Sequence, residues 1–157
     1  MEFRELMKQF GATIGIEGLA PDETNACSVE IDGMAVAFVE DPEAGTLTTM
    51  AEVCEPPAEG EAMLYRVLMQ SMFMGEGTAG AVFSVKPDTG RIFLHRTDPL
   101  VALDLDAFCA MLEKFVNTLE RWRKDIADFR PVAKAVEQAA AAAESPLDRP
   151  SDGFLQV

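Results

Sequence analysis

The residues able to do chemistry in this chain are few and poorly spaced for it. His95 is the single histidine, and Cys27, Cys54 and Cys109 are isolated cysteines with no CxxC pair. A structural zinc site takes four nitrogen or sulfur ligands, usually in closely spaced pairs. One histidine and three scattered cysteines therefore point to no metal and no cofactor. A Cys–His nucleophile pair needs both side chains within hydrogen-bond reach, and nothing local in the sequence supplies that. The cysteines read instead as small hydrophobes in a reducing compartment. Gly75, Gly77 and Gly80 match the GxGxxG spacing of dinucleotide loops, whose chemistry depends on the N-terminus of a following helix. Here they follow a helical pattern and precede a strand-like one, so they are read as a turn. The carboxylates lack the spacing of a calcium loop. Asp104 and Asp106 stand at a helix start, where negative charge complements the dipole. The expectation is a protein that is not an enzyme.

Charge narrows the partners. Asp and Glu number 27 against 13 Lys and Arg, a formal net charge of −14. Nucleic-acid binding relies on Lys and Arg at phosphates, so a nucleic-acid partner is not expected, nor an anionic membrane surface. Between Lys8 and Arg66 stand twelve acidic residues and no Lys, Arg or His. Such a stretch serves solubility, or forms a repulsive rim around a sticky partner-binding surface. The N-terminus MEFRELMKQF carries Glu2 and Glu5 and lacks the apolar core of a signal peptide. No run is long enough to span a bilayer. A cytoplasmic protein is expected.

The elements that position these residues follow from periodicity. Phe3, Leu6, Met7, Phe10 and Ile14 recur at helical spacing over residues 2–15, ended by Gly15, Gly18 and Pro21. Cys27–Ile31 alternates like a strand, Asp32-Gly33 is a hairpin turn, and Met34–Val39 is a strand apolar on both faces. Thr46–Val53 is a third strand. A helix is expected over Glu61–Met74, strands over Ala81–Lys86 and Arg91–Arg96, and a long helix over Leu105–Phe129 with Asp104 as N-cap. Residues 1–130 form one domain. Residues 131–157 are expected to be an Ala-rich helical extension and a flexible tail. The order α-β-β-β-α-β-β-α, joined mainly by hairpins, predicts an α+β fold with a five-stranded antiparallel sheet and three helices.

The second helix carries more apolar surface than one core needs. Leu64, Val67, Leu68, Ser71 and Met72 make one stripe, while Met63, Tyr65, Met69, Phe73 and Met74 lie off it. A homodimer is expected to cover the excess. Helix 1 and the second strand add further apolar side chains, Met34, Val36 and Phe38 on one face with Ala35, Ala37 and Val39 on the other.

With this element order, the small acidic chain, the opening FRELMKQFGATIGI, the strand LTTMAEV and the long closing helix, the chain resembles class I type III secretion chaperones of the Tir-chaperone family. The resemblance covers about residues 1–130. It implies a bacterial cytoplasmic homodimer that binds the N-terminal segment of a secreted effector and keeps it secretion-competent. It implies dimer contacts through Leu64, Val67, Leu68, Val82 and Phe83. It places effector contacts on Phe3, Leu6, Phe10, Val36 and Phe38, with Met7 on the same helical stripe. Two other classes share the pattern: a same-fold regulatory or adaptor protein, and a small-molecule-binding domain or enzyme with a pocket near His95 and Cys109.

Overall fold

The computed structural model describes residues 2–130, so the extension and tail expected at 131–157 lie outside the described residues. Helix α1 spans Phe3–Ile14, and strands β1, β2 and β3 span Ala26–Ile31, Met34–Asp41 and Thr46–Cys54. Helix α2 spans Glu61–Ser71, strands β4 and β5 span Val82–Val85 and Ile92–Pro99, and helix α3 spans Leu105–Ala127. The five strands form one antiparallel sheet in the order β1-β2-β3-β5-β4. The α+β class, the element order and the sheet agree with the sequence reading.

Local chemistry explains the boundaries. Gly15 closes α1 in the left-handed conformation at φ 75°, and its N–H bonds the Gly11 carbonyl. The two-residue turn Asp32-Gly33 has positive φ at both positions, 50° and 74°, as a hairpin matched to strand twist requires. The Asp104 side chain accepts the Ala107 N–H at 2.8 Å and caps α3. Helix α2 stops at Ser71, three residues before the expected end, because Met74 and Gly75 both turn left-handed (φ 56° and 73°). Phe73 and Met74 therefore sit in a tight turn beyond the helix. Strand β5 runs on past Arg96 to Pro99, which faces Thr46 at the last rung.

All three helices pack on one face of the sheet. Phe10 of α1, Phe38 of β2 and Phe108 of α3 meet edge to face, with ring centroids 5.0–6.1 Å apart. Phe83 of β4 meets Trp122 of α3 at 5.2 Å, and Leu68 of α2 lines a cleft with the same Phe83. Alternation along the strands sends Val29, Val36, Phe38, Leu47, Ala51 and Leu94 into this layer, all buried.

This packing corrects the expected partner-binding set. Phe3, Leu6, Met7, Phe10, Val36 and Phe38 are all 3% exposed or less. The stripe on α1 is covered by the protein's own sheet and by α3, so these six side chains build the core and present almost no surface to a partner.

Removing a ring from this cluster leaves a cavity. Phe38→Ala should cost about 3–5 kcal/mol of stability, read as a lower urea midpoint. Phe10→Glu should abolish the fold, shown by loss of the circular-dichroism signal, because it places a charge among three rings.

Candidate functional site

Two apolar clefts flank the filled core. The first lies along α2 and the edge strand β4. Of the expected dimer residues, Leu64 and Leu68 are buried on the core side, Val67 and Phe83 are half-buried, and Val82 is exposed. The exposed apolar side chains here are Met69, Phe73 and Met74, at 68, 75 and 80%, and on the edge strand Val85 on the helix side and Val82 on the open face of the sheet. Between them lies a cleft of about 370 Å³ lined by Tyr65, Leu68, Met69, Met72, Phe83 and Val85.

The glycines of the GxGxxG run lie in the turn after α2 and before β4, with no helix following them, and shape this surface. The Gly77 carbonyl accepts the Trp122 indole N–H at 2.9 Å and an Arg121 guanidinium N–H. A Cβ on Gly77 would stand 2.5 Å from the Ser71 carbonyl oxygen, so only glycine fits. Met74 and Ala79 hold positive φ within the same loop, a conformation that persists only where the surroundings enforce it. Arg121 and Trp122 tie this loop to α3 at Gly77, and backbone bonds within it, Gly75 N–H to the Met72 carbonyl and Gly77 N–H to the Ser71 carbonyl, close the turn that carries Phe73 and Met74. Sequence spacing gave no sign of the tie to α3, since the partners are more than forty residues apart.

The second surface is a groove of about 560 Å³ where the end of α1, the end of β1 and the outer side of α3 meet. Its apolar lining is Phe10, Ile14, Ile16, Ile31, Cys109, Leu112 and Val116, and its polar lining is Glu30, Asp32, Glu113 and Asn117. Ile14 and Ile16 are 41 and 40% exposed. Of the six expected partner-binding residues, only Phe10 reaches this groove.

Charge divides between the two surfaces. Arg91 of the β4–β5 hairpin pairs with Glu52 at 2.8 Å and with Glu55, Arg96 pairs with Asp98, and Lys86 with Asp88. Among the described residues, none of the acidic side chains from Glu17 to Glu43 takes part in an ion pair. The groove is lined by the carboxylates Glu30, Asp32 and Glu113, none in an ion pair, while the described ion pairs lie on β3, β5 and the loops beside them.

His95 and Cys109 do not form a site together. His95 faces Met50 and Val82 across the sheet register, on the face turned away from the helices, while Cys109 lies on α3 in the groove. The sheet separates them. Burial raises the thiol pKa of all three cysteines, and for Cys27 burial and then the Asp22 carboxylate bring it to about 11. A thiol held protonated is a poor nucleophile. Among the described residues no three His, Cys, Asp or Glu side chains cluster as metal ligands, and no helix is long and apolar enough to cross a membrane.

A sheet clad on one face, with apolar surfaces at both edges, defines a protein of contacts. The Tir chaperone protein (CesT) family model matches residues 5–123, and the chain belongs to that family. It is a chaperone by family. Its fold is similar to that in the ExsC–ExsE complex, with 23% identity and a TM-score of 0.68 over 77% of this chain and 90% of that one. It is also similar to the HopA1–SchA chaperone–effector complex (15% identity, TM-score 0.65, 78% and 93% covered). A third likeness is to the Yersinia pestis type III secretion chaperone SycH in complex with a fragment of YscM2 (16%, 0.60, 77% and 99%). No curated protein sequence matches the chain.

Two outcomes follow for the site. Gly77→Ala should lower stability by about 1–3 kcal/mol through overpacking, read by thermal melting. Native Cys27 should react with iodoacetamide at pH 8 far more slowly than in urea, with a rate that climbs as pH approaches about 11.

Proposed function

We propose that the chain is a type III secretion chaperone that works as a homodimer in the bacterial cytoplasm. It holds an unfolded, apolar segment of a secreted effector and acts by binding alone, making and breaking no bond. The observation that carries this reading is the presence of two separate apolar surfaces of different electrostatic character.

The α2–β4 surface suits a second copy. A two-fold interface uses the same patch twice, so the patch must be self-complementary. Here a protruding Phe73 and Met69 stand beside an apolar cleft, so each copy offers both knob and hole. Val67, Val82 and Phe83 belong to this proposed interface together with Met69, Phe73 and Val85, while Leu64 and Leu68 support it from the core. A stable interface buries about 1,200–2,000 Å².

The α1–β1–α3 groove suits the effector. Ile14, Ile16, Ile31 and Cys109 take the place of the buried Phe3–Phe38 set as its contact residues. The surrounding carboxylates repel a second acidic chaperone and leave the groove to other chains. The structural neighbours that are complexes of a chaperone with an effector support the reading.

Light scattering at micromolar concentration should give a dimer, and Phe73→Asp or Val82→Asp a folded monomer. Ile16→Asp should keep the dimer and fold but lose co-purification with the effector, tested by co-expression with the products of adjacent genes. A monomeric wild type, or undiminished capture by Ile16→Asp, would reject the assignment.

A further inference from the structure

The methionines of the chain fall into two groups. Met7, Met34 and Met111 are buried in the core, where an oxidant does not reach them. Met63, Met69, Met72 and Met74 instead crowd α2 and the turn after it, and Met69 and Met74 are exposed. Met69 and Met72 line the same apolar cleft beside β4, together with Phe83. Met72 also holds a backbone group. Its Sδ accepts the Phe83 N–H at 3.0 Å, so a thioether takes the place that a neighbouring strand would fill on the edge strand β4. The Met72 sulfur is thus a wall of the cleft and a latch between the turn after α2 and β4.

We propose that Met69 and Met72 form a modification site for hydroperoxides, at which conversion to the sulfoxides frees β4 from its latch and keeps the α2–β4 surface from pairing with a second copy. The inference rests on the reading of that surface as the one between two copies. In the step itself the sulfur lone pair attacks the distal oxygen of hydrogen peroxide, the S–O bond forms and the O–O bond breaks. The leaving hydroxide takes the proton from the transferred oxygen and departs as water, so sulfur gives up the two electrons that the peroxide gains. A flexible apolar side chain becomes a polar, chiral one. At Met72 the sulfur and the Phe83 nitrogen are too close to admit the new oxygen between them. It adds on the other side and draws electron density from the acceptor, so the Phe83 N–H loses its partner. In the cleft, a two-fold interface meets each sulfoxide twice, and burying a polar group there without a hydrogen bond is costly. Met69, open in a free copy, reacts first, and the deeper, hydrogen-bonded Met72 follows. Pairing covers both, so the reaction takes free copies and holds them free. The three cysteines compete poorly for the same oxidant, because burial keeps their thiols protonated. Thiol-dependent sulfoxide reductases return the thioethers.

The probe is hydrogen peroxide on the full chain, followed by a thiol reductant that clears disulfides and sulfenic acids and leaves sulfoxides. Peptide mass spectrometry places each added oxygen. Met69 should oxidise before Met72, and its rate should fall as protein concentration rises through the range where the dimer forms. The rate at Met50, which faces Ala37 and His95 on the bare side of the sheet, should stay constant. Protein oxidised at Met69 and Met72 should dimerise about ten-fold or more weakly by analytical ultracentrifugation. It should exchange the Phe83 amide about five-fold faster, and both changes should reverse with sulfoxide reductases of both stereospecificities. The volume-conserving pair Met69→Leu and Met72→Leu should make the dimer insensitive to peroxide, each form read against its own untreated affinity. Where that double variant fails to fold, the reductase reversal supplies the same control. Unchanged dimer affinity in the doubly oxidised wild type, or an equal loss in the double variant, would overturn the inference. So would unchanged Phe83 exchange with Met72 fully oxidised, a reading that needs no dimer. A monomeric untreated protein would instead sink the two-copy reading, and Phe83 exchange would still decide the latch.

Discussion

Everything in this structure depends on a sheet that is clad on one side only. Three helices cover one face, and the aromatic contacts among Phe10, Phe38 and Phe108 hold α1, β2 and α3 together there. Since strand side chains alternate, every apolar residue sent to that layer leaves its neighbours on the other face. A sheet of five strands also has two edges, β1 and β4. A single-layer arrangement cannot close its edges as a barrel does. Sites of contact are thus built in by topology before any particular residue is chosen.

The residues then decide what each edge accepts. At β4 the strand is only four residues long, and its flank is apolar, fitted with methionines that adapt their shape. Around it, Lys86, Arg91 and Arg96 pair with Asp88, Glu52, Glu55 and Asp98, and Arg123 of α3 donates to the Glu52 backbone carbonyl at 2.6 Å. At β1 the flank is apolar too, but none of the carboxylates that line the groove there, Glu30, Asp32 and Glu113, is in an ion pair among the described residues. Like apolar surfaces thereby become unlike in their choice of partner.

Much of the fold was legible because its signals are local. Asp32-Gly33 marked a hairpin, Asp104 a helix cap, and the alternation in β1 a half-buried strand. The run Gly75 to Gly80 was legible as a turn between a helix and a strand from context alone. The stripe Phe3, Leu6, Met7, Phe10 was legible as apolar, but spacing does not say whether a helix face is covered by its own sheet or by another chain. The groove was hidden for a related reason. Ile14, Ile16, Ile31 and Cys109 come from the ends of two elements, a loop and a third helix, where periodicity has stopped or points elsewhere. The end of α2 was missed because Met74 is a good helix former that adopts a left-handed backbone under tertiary constraint.

The clamp on Gly77 also gives the molecule a built-in spectroscopic probe. Trp122 is the only tryptophan in the chain, and its indole is mostly buried, stacked edge-on against Phe83 and hydrogen-bonded to the loop that presents Phe73 and Met74. Excited at the red edge of its absorption, where Tyr65 does not contribute, it is a single fluorophore whose surroundings track one loop. A rearrangement of that loop would let water reach the ring and shift the emission to longer wavelength. The state of the α2–β4 surface can thus be followed optically in the unlabelled protein, in real time and without altering a residue.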